Sequence, residues 1–325
     1  MNNISSIFTF ASCATMTGMD ARIVYMGSPD FSVPSLEALA ERFDLIGVVT
    51  QPDRRAGRGR TLKPPPVKVA AEKQNIPLIQ PSSLRKDPQA MSQLRAWEPD
   101  VIVVVAFGQI LRPDVLNLPK YGCVNVHASL LPRWRGVSPI NAAVLHGDAQ
   151  TGVTIMKMDE GIDTGPILSQ RVIPISENDT AGTLFNQLAE IGGQLLVEIL
   201  PKYISGEIKP TPQPKESPTP YTRMLKKSDG ELDFNQPAEH LARLVRAYNP
   251  WPGAYTTFKN QPLKVHQAHS TPGGKGQPGT HTIIQNLPAI QTTEGTLLLD
   301  QVQPAGKKPM SGDAFLLGTR DWESK

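Results

Sequence analysis

The sequence predicts an α/β N-terminal domain with a largely parallel, Rossmann-like sheet, followed by a second, smaller β-barrel domain of OB-like type. Three observations carry this. From Arg22 to about Tyr203, apolar runs of strand length alternate with stretches of helical apolar periodicity, the order that builds a parallel sheet covered by helices. Lys209–Pro220 then holds five prolines and few apolar residues, the composition of an extended, semi-rigid linker. Beyond it, short apolar runs lie between Gly, Pro and Asn, the spacing of a small barrel; the OB-fold is such a barrel and often binds nucleic acid. The expected divisions are a disordered extension at 1–20, a first domain at 21–208, the Pro-rich linker at 209–221 and a C-terminal domain at 222–325.

Taken in order, residues 1–19 carry no charge, and they lack both the basic start and long apolar run of a secretory signal and the arginines of a transit peptide. Arg22–Gly27 reads as the first strand, and a helix follows to about Arg42. Asp30 is placed to cap that helix. Gly27 stands without the rest of a GxGxxG pattern, which argues against a nicotinamide oxidoreductase. Leu45–Thr50 is a second buried strand. Gln51–Pro66 is rich in Gly, Pro, Arg and Lys and is expected to be an irregular, basic loop, a type that contacts phosphates. Val67–Gln74 and Pro88–Trp97 read as helices and Ile76–Ile79 as a strand. Val101–Phe107 is the most apolar run, a central strand buried on both faces. Cys123–His127 alternates apolar and polar residues. Pro139–His146 is a helix with Pro in its first turn, Gly152–Met158 and Pro166–Pro174 are strands, and Thr180–Tyr203 is a long amphipathic helix. After the linker, Pro237–Ala247 is a helix. Ala254–Phe258, Leu263–His266, Gly279–Ile284, Ala289–Thr292 and Leu297–Val302 are the short strands of the second domain.

Composition narrows the function classes. The net charge of +3 lies entirely in residues 222–325, which hold twelve Lys and Arg against nine Asp and Glu. That excess is mild for a protein that coats nucleic acid and fits one that touches RNA as a substrate. No apolar run reaches membrane length. The two cysteines and six histidines form neither a disulfide framework nor a metal-ligand cluster, so no metal and a reducing, cytoplasmic compartment are expected.

The chemistry gathers between Asn125 and Gly165. Side chains two apart on a strand share a face, so Asn125 and His127 point together while Val124 and Val126 pack behind them. An amide can donate to a developing oxyanion, and an imidazole can move a proton near neutral pH. Leu131–Pro132 ends the segment, which places the pair at the C-terminal end of its strand, where open α/β sheets bind ligands. Asp163 lies on a loop bracketed by Gly161 and Gly165 and is able to orient the His or relay its proton. The plainer readings are a structural Asn–His pair and a turn aspartate bonding its own backbone.

The segments HASLLPRWRG and TGVTIMKMDEGIDTG together resemble the signature of the folate-dependent formyltransferases, in particular their tRNA-formylating members. Asn249–Pro252 and Gln303–Lys308 resemble the C-terminal domain of those members, so the likeness spans the chain from about Arg22. It implies that Asn125, His127 and Asp163 form the catalytic triad. It implies that Ser129, Leu130, Leu131 and Pro132 lie along the folate. The loop QPDRRAGRG is similar to one beside the family's active site, which implies that it engages the tRNA acceptor end, with Arg58 foremost and Arg54 and Arg60 beside it. The donor implied is N10-formyltetrahydrofolate, and the acceptor is the α-amino group of methionine on initiator tRNA. No membrane and no obligate protein partner are implied. A formyltransferase acting on an amino sugar nucleotide would use the same triad, so the basic loop and the second domain are what separate the two. A non-catalytic RNA-binding protein is the reading from another class, and the polar triad argues against it.

Overall fold

The computed structural model describes residues 20–56, 61–274, 276–319 and 321–323. The expected extension therefore lies outside the described residues apart from Asp20, as do Arg58 and Arg60. In the N-terminal half, the strands are β1 (Arg22–Gly27), β2 (Asp44–Val49), β3 (Arg54–Ala56), β4 (Thr61–Lys63), β5 (Leu78–Ile79), β6 (Val101–Val105), β7 (Cys123–His127), β8 (Gln150–Lys157) and β9 (Ile167–Pro174). Seven of them form one sheet in the order β5-β2-β1-β6-β7-β8-β9. The first five of that order pair in parallel, whereas β8 and β9 add an antiparallel edge.

Helices α1 (Val33–Ala40), α2 (Pro66–Lys73), α3 (Pro88–Ala96), α4 (Pro113–Leu116), α5 (Pro139–Leu145) and α6 (Ala181–Ile204) complete this half. Side chains of α1, α2, α5 and α6 join one apolar cluster with Val124 and Val126 of β7. Those of α3 and α4 join the other, with Cys123. The strand that carries Asn125 and His127 is thus gripped from both faces, as its alternation requires. Thr180 caps α6, its hydroxyl accepting from Thr183 N at 3.1 Å; such a cap satisfies one of the free N–H groups of a helix start.

Three details depart from the sequence reading. The Gln51–Pro66 segment is not wholly irregular, because β3 and β4 pair as a short antiparallel ribbon with Arg54 opposite Lys63. The β-branched Thr61 and the apolar Leu62 support extended backbone beside the glycines. Asp30 does not cap α1: it opens a short 3₁₀ turn, and Ser32 holds the cap position without a side-chain bond. The 209–221 linker is not a bare spacer, since Thr211 bridges Ile167 and Thr222 bridges Gly136.

The C-terminal half contains α7 (Ala238–Ala247), β10 (Ala254–Phe258), β11 (Gln261–Thr271), β12 (His281–Ile284), β13 (Leu287–Gln291), β14 (Thr296–Pro304), β15 (Met310–Ser311) and α8 (Gly312–Leu317). Its strands form an antiparallel sheet ordered β10-β11-β14-β13-β12, with β15 beside β14. Among the described residues no pairing of β10 with β12 closes this ladder into a barrel. The short elements α4, β15 and α8 carry too little periodicity to show in sequence. The two halves meet at the end of α7 and just past it, where Asn141 Nδ2 donates to Ala247 O at 2.7 Å and Gly182 N donates to Asn249 O at 3.0 Å. The apolar cluster behind β7 continues into α7 and the second sheet.

Candidate active site

The structure brings His127 and Asp163 together and leaves Asn125 beside them on the same strand face. His127 is the last residue of β7 and is buried. Its Nε2 lies 3.1 Å from Trp134 O. A carbonyl only accepts, so Nε2 carries a proton. Its Nδ1 lies 3.6 Å from Asp163 Oδ1 and is the ring nitrogen that faces that carboxylate. The Asn125 side chain makes no hydrogen bond among the described residues, although only 9 % of the residue is exposed. The amide is not among the fully enclosed polar groups that lack a partner, so it reaches solvent at the site.

The loop carrying Asp163 must fold back to reach the histidine. It leaves β8 beside the start of β7, where Met158 N donates to Cys123 O at 2.8 Å. Asp159, not Asp163, is the aspartate that bonds its own turn, accepting from Gly161 N at 3.1 Å and Thr164 Oγ1 at 2.7 Å. Gly165 permits the return, because a Cβ there would stand 1.9 Å from Lys157 O. Asp163 itself adopts φ +53°, a left-handed backbone that Asp tolerates better than most residues. Its Oδ2 accepts from Gly136 N at 2.8 Å.

The RWRG segment, residues 133–136, is therefore a bracket on both ends of the pair, and sequence reasoning missed this. Trp134 holds φ +59°, an outlier for so large a side chain. Three bonds maintain it: N to Thr219 Oγ1 at 2.9 Å, Nε1 to Asp148 Oδ2 at 2.6 Å, and the carbonyl contact to His127. Arg133 chelates Asp148 with Nε at 2.8 Å and Nη2 at 2.5 Å and lies over the indole at 4.6 Å. That chelation raises the pKa of the Arg133 guanidinium. His146 packs its ring 4.7 Å from that of Trp134. The available signal for this bracket was a glycine closing a run of two arginines and a tryptophan directly after a strand-ending proline.

The remaining sequence candidates fall as follows. Ser129–Pro132 forms the turn after β7, braced by Thr154, whose hydroxyl donates to Ser129 O at 2.6 Å and accepts from Leu131 N at 3.1 Å. Ser129 and Leu131 are buried, whereas Leu130 and Pro132 are partly open. Arg54 is exposed and donates to the Gln51 side chain. Three apolar side chains on segments flanking the triad are exposed, Ile110, Val137 and Ile162. Among the described residues no three His, Cys, Asp or Glu gather as a metal would require, and no helix is long and apolar enough to cross a membrane.

This fold and site are those of a formyl-transferring enzyme. The formyl transferase family model matches residues 21–200, and that of the formyl transferase C-terminal domain matches residues 224–320. A methionyl-tRNA formyltransferase of Myxococcus xanthus is 48 % identical over 300 residues, covering 91 % of this chain and 95 % of the relative. One of Halorhodospira halophila is 48 % identical over 305 residues, covering 93 % and 97 %. The N-formyltransferase of Helicobacter canadensis, solved in complex with folinic acid and dTDP-3-aminofucose, shares the fold with a TM-score of 0.62 at 19 % identity, over 88 % of this chain and 100 % of that one. The chain belongs to the formyltransferases and, within them, to the methionyl-tRNA formyltransferase family.

Proposed function

We propose that this enzyme transfers the formyl group of N10-formyltetrahydrofolate to the α-amino group of methionine on initiator methionyl-tRNA, and that Asn125, His127 and Asp163 carry the reaction. The observation behind the triad is the pairing of a proton-exchanging nitrogen, His127 Nδ1, with the Asp163 carboxylate at 3.6 Å, beside an amide with no partner among the described residues. The choice of acceptor is supported by relatives that match both halves of the chain at 48 % identity.

The donor is a substrate that supplies an activated formyl carbon on a nitrogen leaving group. The exposed apolar residues Ile110, Val137 and Ile162 and the Ser129–Pro132 turn fit its flat, partly apolar body. An α-amine has an ordinary pKa of about 7.7–8.0, so a useful fraction is neutral at physiological pH. Its lone pair attacks the formyl carbon, and the carbonyl oxygen becomes an oxyanion. The Asn125 amide and a proton on His127 Nδ1 stabilise that oxyanion. Trp134 O keeps Nε2 occupied, so the imidazole cannot turn its other nitrogen to the reaction. Asp163 orients the ring and accepts the proton that the amine loses. The bond from the formyl carbon to the donor nitrogen then breaks, and that proton passes to the departing nitrogen.

In this reading the divisions at 21–208, 209–221 and 222–325 separate catalysis from tRNA positioning. The second half serves as an OB-like module, a five-stranded and partly open barrel. The ribbon that carries Arg54, together with Arg58 and Arg60, meets the acceptor end through phosphate contacts. No metal and no obligate protein partner are required, and the compartment is the cytoplasm, where charged initiator tRNA is used.

The test is formyl transfer from N10-formyltetrahydrofolate to charged initiator tRNA, with charged elongator methionine tRNA and an amino sugar nucleotide as competing acceptors. Transfer to the initiator alone is expected. Transfer to the sugar nucleotide in place of tRNA would keep the triad and overturn the acceptor.

A further inference from the structure

The chain between the two sheets passes directly beneath the catalytic loop. Gln213 Nε2 donates to two carbonyls of that loop, Asp163 O at 3.0 Å and Gly165 O at 2.6 Å. Gln213 Oε1 accepts in turn from Arg135, Nη2 at 2.9 Å and Nε at 3.3 Å. Arg135 is fully buried at 0 % exposure. Its other guanidinium contacts are Pro214 O at 2.8 Å, Lys215 O at 3.2 Å and the Tyr221 hydroxyl at 3.4 Å. Among the described residues it makes no ion pair with a carboxylate. Burying a guanidinium is unfavourable unless its donors are matched, and here every match comes from the segment Gln213–Tyr221. The backbone of Arg135 completes the seam, its carbonyl accepting from Thr222 N at 2.8 Å and Thr222 Oγ1 at 3.1 Å.

The Asp163 loop needs outside support. Its side-chain bonds within the turn, from Asp159 to Gly161 N and Thr164 Oγ1, stop on either side of Asp163. The left-handed backbone of Asp163 is held instead by Gly136 N at the carboxylate and by Gln213 at the carbonyl. Both supports issue from one stretch, Arg135 and its neighbour Gly136. Gln213 of the strap therefore fixes where the peptide of Asp163 lies, while Gly136 N fixes which way its carboxylate faces.

We infer that Gln213, clamped by buried Arg135, is a positioning residue for formyl transfer: the interdomain strap holds Asp163 against His127 Nδ1. This rests on the reading of Asp163 as a member of the triad. Its consequence is that the strap leading to the tRNA-positioning half is also part of the apparatus that sets turnover.

Two variants of the full-length enzyme separate positioning from tethering. Gln213→Ala removes all of these bonds. Gln213→Glu keeps an acceptor for Arg135, and so keeps the strap tied down, but it has no N–H for the carbonyls of Asp163 and Gly165. Steady-state kcat and KM for N10-formyltetrahydrofolate and charged initiator tRNA are measured across pH, with thermal unfolding in parallel. Misplacing a reacting group by about 1 Å costs on the order of 10²-fold, so both variants are expected to lose roughly 10- to 100-fold in kcat, with each KM within about threefold. The kcat–pH profile is expected to shift, because the Asp163 carboxylate no longer stands at its native 3.6 Å from His127 Nδ1. Gln213→Glu is expected to unfold at a temperature near that of the wild type. Wild-type kcat and an unmoved pH profile in Gln213→Glu would overturn the inference, as would a loss confined to KM for tRNA. Asp163→Asn is run alongside. If Asp163→Asn keeps full turnover, the reading of the triad fails. If it loses turnover while both Gln213 variants keep theirs, only the positioning role fails.

Discussion

The two oxygens of the Asp163 carboxylate face different partners: Oδ2 accepts from Gly136 N at 2.8 Å, while Oδ1 stands 3.6 Å from His127 Nδ1. The first contact is a tether, and in the proposed mechanism the second is the working one. Asp163→Asn keeps an oxygen for Gly136 but removes the charge and the proton acceptor. The variant is expected to fold normally and to lose roughly 10²–10⁴-fold in kcat, the usual scale of a general acid–base group. Single-turnover formyl transfer checks this, because it isolates chemistry from product release.

Asn125 tests the other half of the site. Its amide makes no hydrogen bond among the described residues and is not fully enclosed, so its removal should cost the folded enzyme little. If it donates to the oxyanion, Asn125→Ala loses about 10²–10³-fold in kcat, or roughly 2.7–4 kcal/mol of barrier. Turnover within a few fold of wild type, with Tm unchanged, would remove Asn125 from the mechanism.

Asp148 holds the strained Trp134 from behind, receiving Trp134 Nε1 and two donors of Arg133. Asp148→Ala leaves the indole N–H unpaired beside a freed guanidinium. A loss of about 1–3 kcal/mol in stability is expected from a buried donor without its acceptor. Turnover should fall as well, because Trp134 O fixes the His127 ring. Urea unfolding and kcat measured on the same preparation check both, and a stability loss with unchanged kcat would separate Trp134 from the chemistry.

Why the parallel core and the shared face of Asn125 and His127 were legible in sequence, while the bracket around them was not, has a physical basis. Val101–Val105 and Cys123–His127 announce themselves through apolar runs and alternation, because burial on a sheet face is a local demand repeated along the chain. Asn125 and His127 share a face through period two alone. Asp163 needed the family likeness, since its neighbour Asp159 has the same local credentials and proves to be the one that caps the turn. The roles of Trp134 O, Gly136 N and Gln213 depend on backbone atoms that are met across 7 to 50 positions, and no residue identity encodes that. Gln213 did leave a trace, as the amide set between prolines in the linker. Five strands of the antiparallel half were foreseen and β15 was not, and β11 runs on through Thr271, past the apolar stretch that marked its start. Polar residues continue a strand readily where one face is exposed.

Cys123 provides a check on the grip around β7. Burial pushes its thiol up to about 12, against a smaller opposing pull from Lys157. The thiolate is the reactive form, so the native protein should resist iodoacetamide at pH 8. In a Cys13→Ser variant, one thiol is expected to react in denaturant and essentially none in the folded enzyme. Rapid native labelling would mean that β7 opens far more often than a strand bearing the active site should.

Asp229, just past the strap, gives a pH prediction with a definite sign. Arg223 donates to its two oxygens at 2.7 and 2.9 Å, and Lys226 N donates at 2.7 Å. Chiefly through Arg223, and then Lys226 N, its pKa falls from 3.8 to about 2. The folded protein therefore binds fewer protons here than the unfolded chain between those two values. The stabilisation is fully present above the unfolded pKa and is lost as pH falls through the folded one. Both side chains are partly open to solvent and the pair is screened by salt, so the effect is modest and largest at low ionic strength. Urea midpoints of wild type and Asp229→Asn should differ by a constant amount above about pH 5 and converge toward about pH 2. A gap that persisted unchanged to the lowest pH would mean that the carboxylate's charge is not what Arg223 and Lys226 hold.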